Sequence, residues 1–253
     1  GFQEDTFEFH PALGLWLGRH GRFKAGFDFL DLRANEPGIT LNPRDRDRIY
    51  GPRLALGWDT RNNRRNPSQG WHHELEVGYQ GGDADFLRAE LDLRRYQPFL
   101  TARSTLALGA LASVRSGELG EDVPAYLAYR IGGANSIRGF AVEDLGAELF
   151  GKNQLLGTVE YRYLLRPIQP VRVFSWSLRL GLQAAVFADF GGAWSHGREF
   201  AWDRFKSGFG AGLRVLVPGS EMLRLDVGIS EDGDAAVYVR GLSKFDAQRK
   251  RLR

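Results

Sequence analysis

From Ser177 to Gly191 the chain alternates between two kinds of side chain without interruption. Leu178, Leu180, Leu182, Ala184, Val186, Ala188 and Phe190 fall on one face; Ser177, Arg179, Gly181, Gln183, Ala185, Phe187 and Asp189 fall on the other. A repeat of two is the period of an extended strand, whose successive side chains point to opposite faces. This run is much longer than the five or six residues of an ordinary globular strand. One face is wholly apolar, so the strand must cover that face with protein or with lipid.

The pattern recurs along the chain. Leu87, Ala89, Leu91 and Leu93 alternate with Arg88, Glu90, Asp92 and Arg94, and Val159, Tyr161 and Tyr163 with Thr158, Glu160 and Arg162. Phe209, Ala211, Leu213, Val215 and Val217 oppose Gly208, Gly210, Gly212 and Arg214; Leu223, Leu225, Val227 and Ile229 oppose Arg224, Asp226, Gly228 and Ser230. Two architectures accommodate such strands. A soluble sandwich turns the apolar faces inward, whereas a membrane barrel turns them to lipid and keeps the charged faces around a polar lumen. Charged residues are 26% of the chain, which on its face suggests a soluble protein. No apolar run is long enough for a membrane helix, a fact that leaves β-barrels untouched. Aromatics gather at strand ends (Trp16, Trp58, Trp71, Tyr96, Phe99, Trp176, Trp194, Trp202), where girdles at a lipid boundary stand. Strand length, repetition and aromatic placement favour the membrane barrel.

The expected fold is therefore all-β, a transmembrane antiparallel barrel. Strands are expected near Thr6–Leu17, Arg22–Asp31, Ile49–Thr60, Trp71–Gln80, Phe86–Phe99 and Thr101–Arg115. Others follow at Gln154–Leu165, Ser177–Gly191, Lys206–Val217, Met222–Ser230 and Ala235–Phe245. Bacterial single-chain barrels have even strand numbers, so about twelve is the expectation, with the first region the least defined. The run Arg44, Asp45, Arg46, Asp47, Arg48 reads as a solvated loop that could touch lipopolysaccharide. Cysteine is absent, which removes disulfides, thiolate nucleophiles and cysteine metal sites. The formal charge is +3, with arginines interspersed among acids, which argues against nucleic acid as a partner. No signal peptide is visible at Gly1-Phe2-Gln3-Glu4-Asp5, so a mature form or a piece of a longer protein is expected.

The midpoint carries Ile131-Gly132-Gly133-Ala134-Asn135-Ser136-Ile137-Arg138-Gly139-Phe140, in a linker too long for a simple hairpin. Long loops in compact folds are functional or disordered. The stretch resembles the hallmark of the BamA-type superfamily of outer-membrane assembly and secretion barrels (the bacterial surface antigen family). That superfamily includes BamA and TamA, two-partner secretion transporters, organelle import barrels and patatin-linked barrels. The resemblance implies that the loop folds back into the lumen and that Arg138 meets acids of the inner wall. The wall motif of the family matches Phe187-Ala188-Asp189-Phe190-Gly191, and Glu160 occupies the polar face of the preceding strand. A third match is the hairpin motif of Asp59 and Arg61 with Pro67 and Gly70. Five expected strands follow the arginine loop, as in the family.

The chain departs from the family in two ways. Family barrels have sixteen strands and are usually preceded by periplasmic POTRA domains. This sequence is shorter, so it reads as a compact member or as the C-terminal part of such a barrel. The expected organisation is a barrel over 1–245, a polar basic tail over 246–253, and no POTRA domain within the chain. Phe245 is the last aromatic, whereas family members end on an aromatic strand.

An arginine in a narrow lumen is costly to desolvate unless paired, and its planar fork suits one carboxylate bidentately with donors left for another. Arg138, Asp189 and Glu160 are thus expected to lock the loop, a structural and gating role. Gly139 would let the backbone turn close to the wall. The resemblance implies a Gram-negative outer-membrane protein, surrounded by lipid and lipopolysaccharide, that inserts unfolded outer-membrane proteins or translocates a polypeptide. The alternatives are a passive pore, an anchor for a missing N-terminal domain, or a barrel hydrolase. No Ser/His/Asp or paired-acid spacing demands catalysis, adjacent His72 and His73 point to opposite faces, and neither a metal nor a cofactor is expected.

Overall fold

Burial in this protein is inverted relative to a soluble domain. Arg138, Arg214, Arg224, Glu160, Asp189, Asp226 and Asp47 are among its most deeply buried side chains, while Leu13 is 84% exposed and Val237 66%. A sheet with a buried charged face and an exposed apolar face is curled with its polar side inward and its greasy side out. That is the solution open to a strand protein surrounded by lipid.

The computed structural model describes residues 4–140, 150–173, 176–197, 200–218 and 222–241. Its strands are β1 (Glu4–Phe9), β2 (Ala12–Leu17), β3 (Gly21–Ala34), β4 (Arg46–Asp59), β5 (Gly70–Gly82), β6 (Phe86–Phe99) and β7 (Thr101–Arg115). They continue as β8 (Tyr129–Arg130), β9 (Phe150–Gly151), β10 (Asn153–Val173), β11 (Trp176–Trp194), β12 (Lys206–Leu216), β13 (Leu223–Ser230) and β14 (Ala235–Gly241). All but β8 and β9 belong to one antiparallel sheet of twelve strands, ordered β1-β3-β4-β5-β6-β7-β10-β11-β12-β13-β14, with β2 also paired to β3. β1 and β2 share one edge of β3, with registers running from Glu4↔Ala34 to Phe9↔Phe29 and from Ala12↔Gly26 to Leu17↔Gly21. His10-Pro11 interrupts them, because a proline has no N–H for the ladder. The sheet thus has eleven lateral positions, and among the described residues β1, β2 and β14 are its edges. No helix of the described residues is long and apolar enough to cross a membrane.

Alternation governs exposure strand by strand. β13 reads exposed–buried throughout, with Leu223, Leu225, Val227 and Ile229 outward and Arg224, Asp226, Gly228 and Ser230 inward. Exposed Trp16, Trp58, Trp71 and Phe99 cluster at one end of the sheet; Trp194, Phe200, Trp202 and Phe205 pack ring on ring at the other. Tyr96 departs from the girdle expected of it. It shares the parity of Asp92 and Arg94, so it points inward and is 1% exposed.

Several boundaries differ from the sequence reading, three of them with a clear physical reason or consequence. Arg46, Asp47 and Arg48 begin β4 rather than forming a solvated loop: Arg46 makes a bidentate pair with Asp31 (2.7 and 2.5 Å). Buried Asp47 accepts from Leu41 N, Asn42 N and Tyr126 Oη. β10 extends to Val173 despite Pro167 and Pro170, because β7 pairs with it only from Gln154 to Tyr163. Beyond that point one side of β10 is an edge, where proline is tolerated. The last expected strand is described to Gly241, so Phe245 and the 246–253 tail lie outside the described residues.

Candidate functional site

The loop leaves through β8 and returns through β9, which pair at Tyr129↔Gly151 and Arg130↔Phe150 and so close its neck. Ile131, Ile137 and Phe140 are buried in an apolar cluster with Leu111 of β7, Leu156 of β10 and Ala193 of β11. The turn is knitted internally. Gly133 N–H donates to Phe140 O (2.7 Å), and Ser136 Oγ both accepts from Gly132 N and donates to Gly132 O (2.6 Å each). Gly139 has φ +110°, and a Cβ there would lie 2.5 Å from Ile229 C, so only glycine fits this turn without strain. The wall makes matching room. A Cβ on Gly208 would overlap the Arg138 carbonyl oxygen, and one on Gly228 would lie 2.6 Å from Gly139 N.

Arg138 sits at the centre with its side chain wholly buried. Its Nε and Nη2 donate to Asp189 Oδ2 and Oδ1 (2.7 and 2.9 Å), and its backbone N–H adds a third bond to Oδ2 (3.1 Å). Nη1 reaches Glu160 Oε1 (2.9 Å) and Asp226 Oδ2 (3.2 Å). The guanidinium carbon lies 3.2 Å from the centroid of the Phe187 ring, where the ring quadrupole attracts a cation. The carboxylates have further partners: Thr158 Oγ1 donates to Asp189, Arg162 to Glu160 (2.9 Å), and Arg214 to Asp226. Arg224 donates to Ala134 O (3.0 Å) and Asn135 Oδ1 (3.2 Å) of the loop. Four arginines thus interleave with three acids on β10, β11 and β13, a charge-assisted network in a site shielded from water.

The structure therefore brings together Gly132, Gly133, Ser136, Ile137, Arg138, Gly139, Phe140, Phe187, Asp189 and Glu160. Gly191 lies on the same strand, where a Cβ would meet Leu156 Cδ2 at 2.6 Å. Asp59, Arg61, Pro67 and Gly70 form a separate feature where β4 turns into β5, at the end of the sheet away from the loop's entry. There Arg61 makes a bidentate pair with Asp59 (both 2.9 Å), Pro67 is buried, and Gly70 opens β5 against Thr60. Sequence reading did not single out Arg162, Arg214, Arg224, Asp226, Thr158 or Tyr238. Their signal was the parity that places the first five on the inward faces of β10, β12 and β13; Tyr238 lay in a strand whose faces were not separated. His72 is buried near Asp59 and Asp92 (3.8 and 3.9 Å), while His73 faces the Trp71 ring. Among the described residues no group of three or more His, Cys, Asp or Glu is placed to hold a metal ion.

A model of the Omp85 superfamily domain matches residues 34–240. The chain is 26% identical over 179 residues to the outer membrane protein assembly factor BamA of Nitratidesulfovibrio vulgaris, a match covering 65% of this chain and 21% of that protein. BamA from Haemophilus ducreyi lacking POTRA domains 1–3 superposes with TM-score 0.70 at 15% identity, covering 95% of this chain and 55% of that one. CdiB from Acinetobacter baumannii superposes at 0.63 and 17%, covering 93% and 41%. These structural likenesses show a shared β-barrel fold, of which this chain spans about half or less.

Proposed function

The chain belongs to the Omp85 superfamily of Gram-negative outer-membrane barrels, and from that premise we propose that it takes part in inserting outer-membrane proteins or moving a polypeptide across that membrane. Residues 1–245 form its barrel domain and 246–253 a polar basic tail. Its apolar face meets lipid, its charged loops meet lipopolysaccharide, and its client is an unfolded outer-membrane protein or a secreted polypeptide. The Arg138 loop occupies the lumen and is locked there by Asp189 and Glu160, with Asp226 as a third acid. It holds β10–β14 as one rigid unit, while the Asp59–Arg61 pair fixes the β4–β5 hairpin. Neither a catalytic group nor a cofactor enters this mechanism. An unpaired strand edge is a template for another strand, and β addition supplies affinity through main-chain hydrogen bonds.

The observation that carries this reading is that the loop binds β10, β11 and β13 and, through Tyr238, β14, which among the described residues is an edge of the sheet. The test is reconstitution into liposomes with an unfolded outer-membrane protein as client, followed by heat-modifiability of the client on gels. Client folding should be faster than in empty liposomes, and slower again with Arg138→Ala. A steady ion current with no gain in client folding would defeat the proposal and leave a passive pore or an anchor.

A further inference from the structure

Among the described residues β14 is paired on one side only, by β13, through pairs from Leu223↔Gly241 to Ile229↔Ala235. Its outward residues Val237 and Val239 are exposed, and Tyr238 between them turns inward, directly opposite Asp226. There its hydroxyl accepts from Gly139 N–H (3.2 Å) and donates to Phe140 O (3.0 Å). One phenol thus satisfies a donor and an acceptor on either side of the turn that Arg138 begins. This contact ties the loop to the edge strand itself, whereas the arginine–acid network ties it to interior strands β10, β11 and β13.

Strand geometry makes that contact sensitive to register. A slip of one residue reverses the facing of every side chain and would turn Tyr238 to lipid. A slip of two residues would carry it about 6.7 Å along the strand, beyond reach of both backbone groups. Asp226 is the direct cross-strand partner of Tyr238, so the correct register also stacks the phenol beside the acid that binds Arg138. We propose that Tyr238 is a positioning residue that couples the register of edge strand β14 to the seating of the Arg138 loop. A strand that pairs with the free edge of β14 and shifts it releases the loop; a seated loop holds β14 in place. The proposal deepens the insertion reading above and rests on it for its purpose, though not for its test.

The test is hydrogen exchange on the purified barrel in lipid nanodiscs, with no client present. The chain has no cysteine, so Val227→Cys with Val237→Cys gives one defined disulfide between lipid-facing cross-strand partners, a spacing that a disulfide spans. Oxidising this pair pins β14. The amides of residues 131–140 should then exchange about three- to ten-fold more slowly, the factor set by one ordinary net hydrogen bond. In a Tyr238→Phe background the same disulfide should leave them unchanged, and β14 itself should exchange faster before oxidation. If the disulfide leaves loop exchange unchanged in the Tyr238 protein, or slows it equally in both backgrounds, the coupling is wrong. The first comparison needs no tyrosine variant, so unchanged loop exchange there overturns the coupling even if Tyr238→Phe folds poorly. Failure of client folding in liposomes would leave this measurement intact, so the two readings fail separately.

Discussion

Arg138→Ala removes a guanidinium that makes four side-chain hydrogen bonds to three buried carboxylates. The loss falls unevenly. Glu160 keeps Arg162 (2.7 Å) and Arg214 (3.5 Å), and Asp226 keeps Arg214 and Arg224 (3.3 Å). Asp189, whose side chain is fully buried, loses both prongs of its bidentate pair and retains the Thr158 hydroxyl and the residue 138 amide. Removing one partner of a buried pair costs about 3–5 kcal/mol, since a desolvated charge is left behind. Net charge alone points the other way: deleting one of four arginines facing three acids leaves the cluster neutral, so any large loss must come from geometry. For a chain of this length 3–5 kcal/mol corresponds to roughly 6–10 °C in Tm. The assay is thermal unfolding in detergent micelles by circular dichroism, with heat-modifiability on gels as a second reading. Arg138→Lys should fall between wild type and alanine, because an ammonium keeps the charge and loses the fork. The double variant Arg138→Ala, Asp189→Asn should recover part of the loss, because it removes the buried charge whose bidentate partner is gone. A Tm for Arg138→Ala within about 1 °C of wild type, or a double variant as unstable as the sum of the singles, would refute the argument.

Gly208→Ala places a methyl on the Arg138 carbonyl oxygen; the loop should be displaced from the wall, read as faster protease cleavage within 131–140 while the strand content stays at the wild-type level. Glu231, in the β13–β14 turn, accepts from Ser207 N (2.9 Å) and Ser207 Oγ (2.7 Å) and pairs with Lys206 (3.0 Å). Burial pushes its carboxyl up, but the bonds from Ser207 and Lys206 outweigh this, so it sits below the ordinary glutamate range. A lowered folded pKa gives a contribution present above the unfolded value, near 4.3, and lost as pH falls through the folded value. Ser207 amide protection, taken relative to the intrinsic exchange rate at each pH, should therefore fall on acidification below about pH 4, and Glu231→Gln should abolish that loss.

Much of the fold was legible because a period of two is a local signal. Each strand announces its two faces, and strand length, repetition and aromatic placement then chose lipid rather than protein as the cover. What the alternation could not convey is which inward residues face one another across the lumen. Asp226 and Arg214 sit on β13 and β12 with the same inward parity as their strand neighbours at every second position. Only the curl of the sheet and the descent of the loop select them for Arg138. Tyr238 was hidden for the same reason, since its partners are backbone groups almost a hundred residues earlier in the chain. Tyr96 shows the converse error: an aromatic near a strand end looks like a girdle residue until parity is checked. The strand expected to end at Leu165 runs on through Pro167 and Pro170 because β7 no longer pairs with it there, a fact of neighbours rather than of sequence.

The eleven lateral positions carry an arithmetic of their own. In a sheet whose strands alternate up and down, the first and eleventh of the described positions run in the same direction. The two edges cannot zip to each other as an antiparallel pair. An antiparallel circuit can be completed only by an odd number of strands in the gap, whichever chain supplies them. One strand would suffice, three or five would serve, and two or four would force a parallel junction. Polarity thus acts as a counting rule on anything that closes this wall.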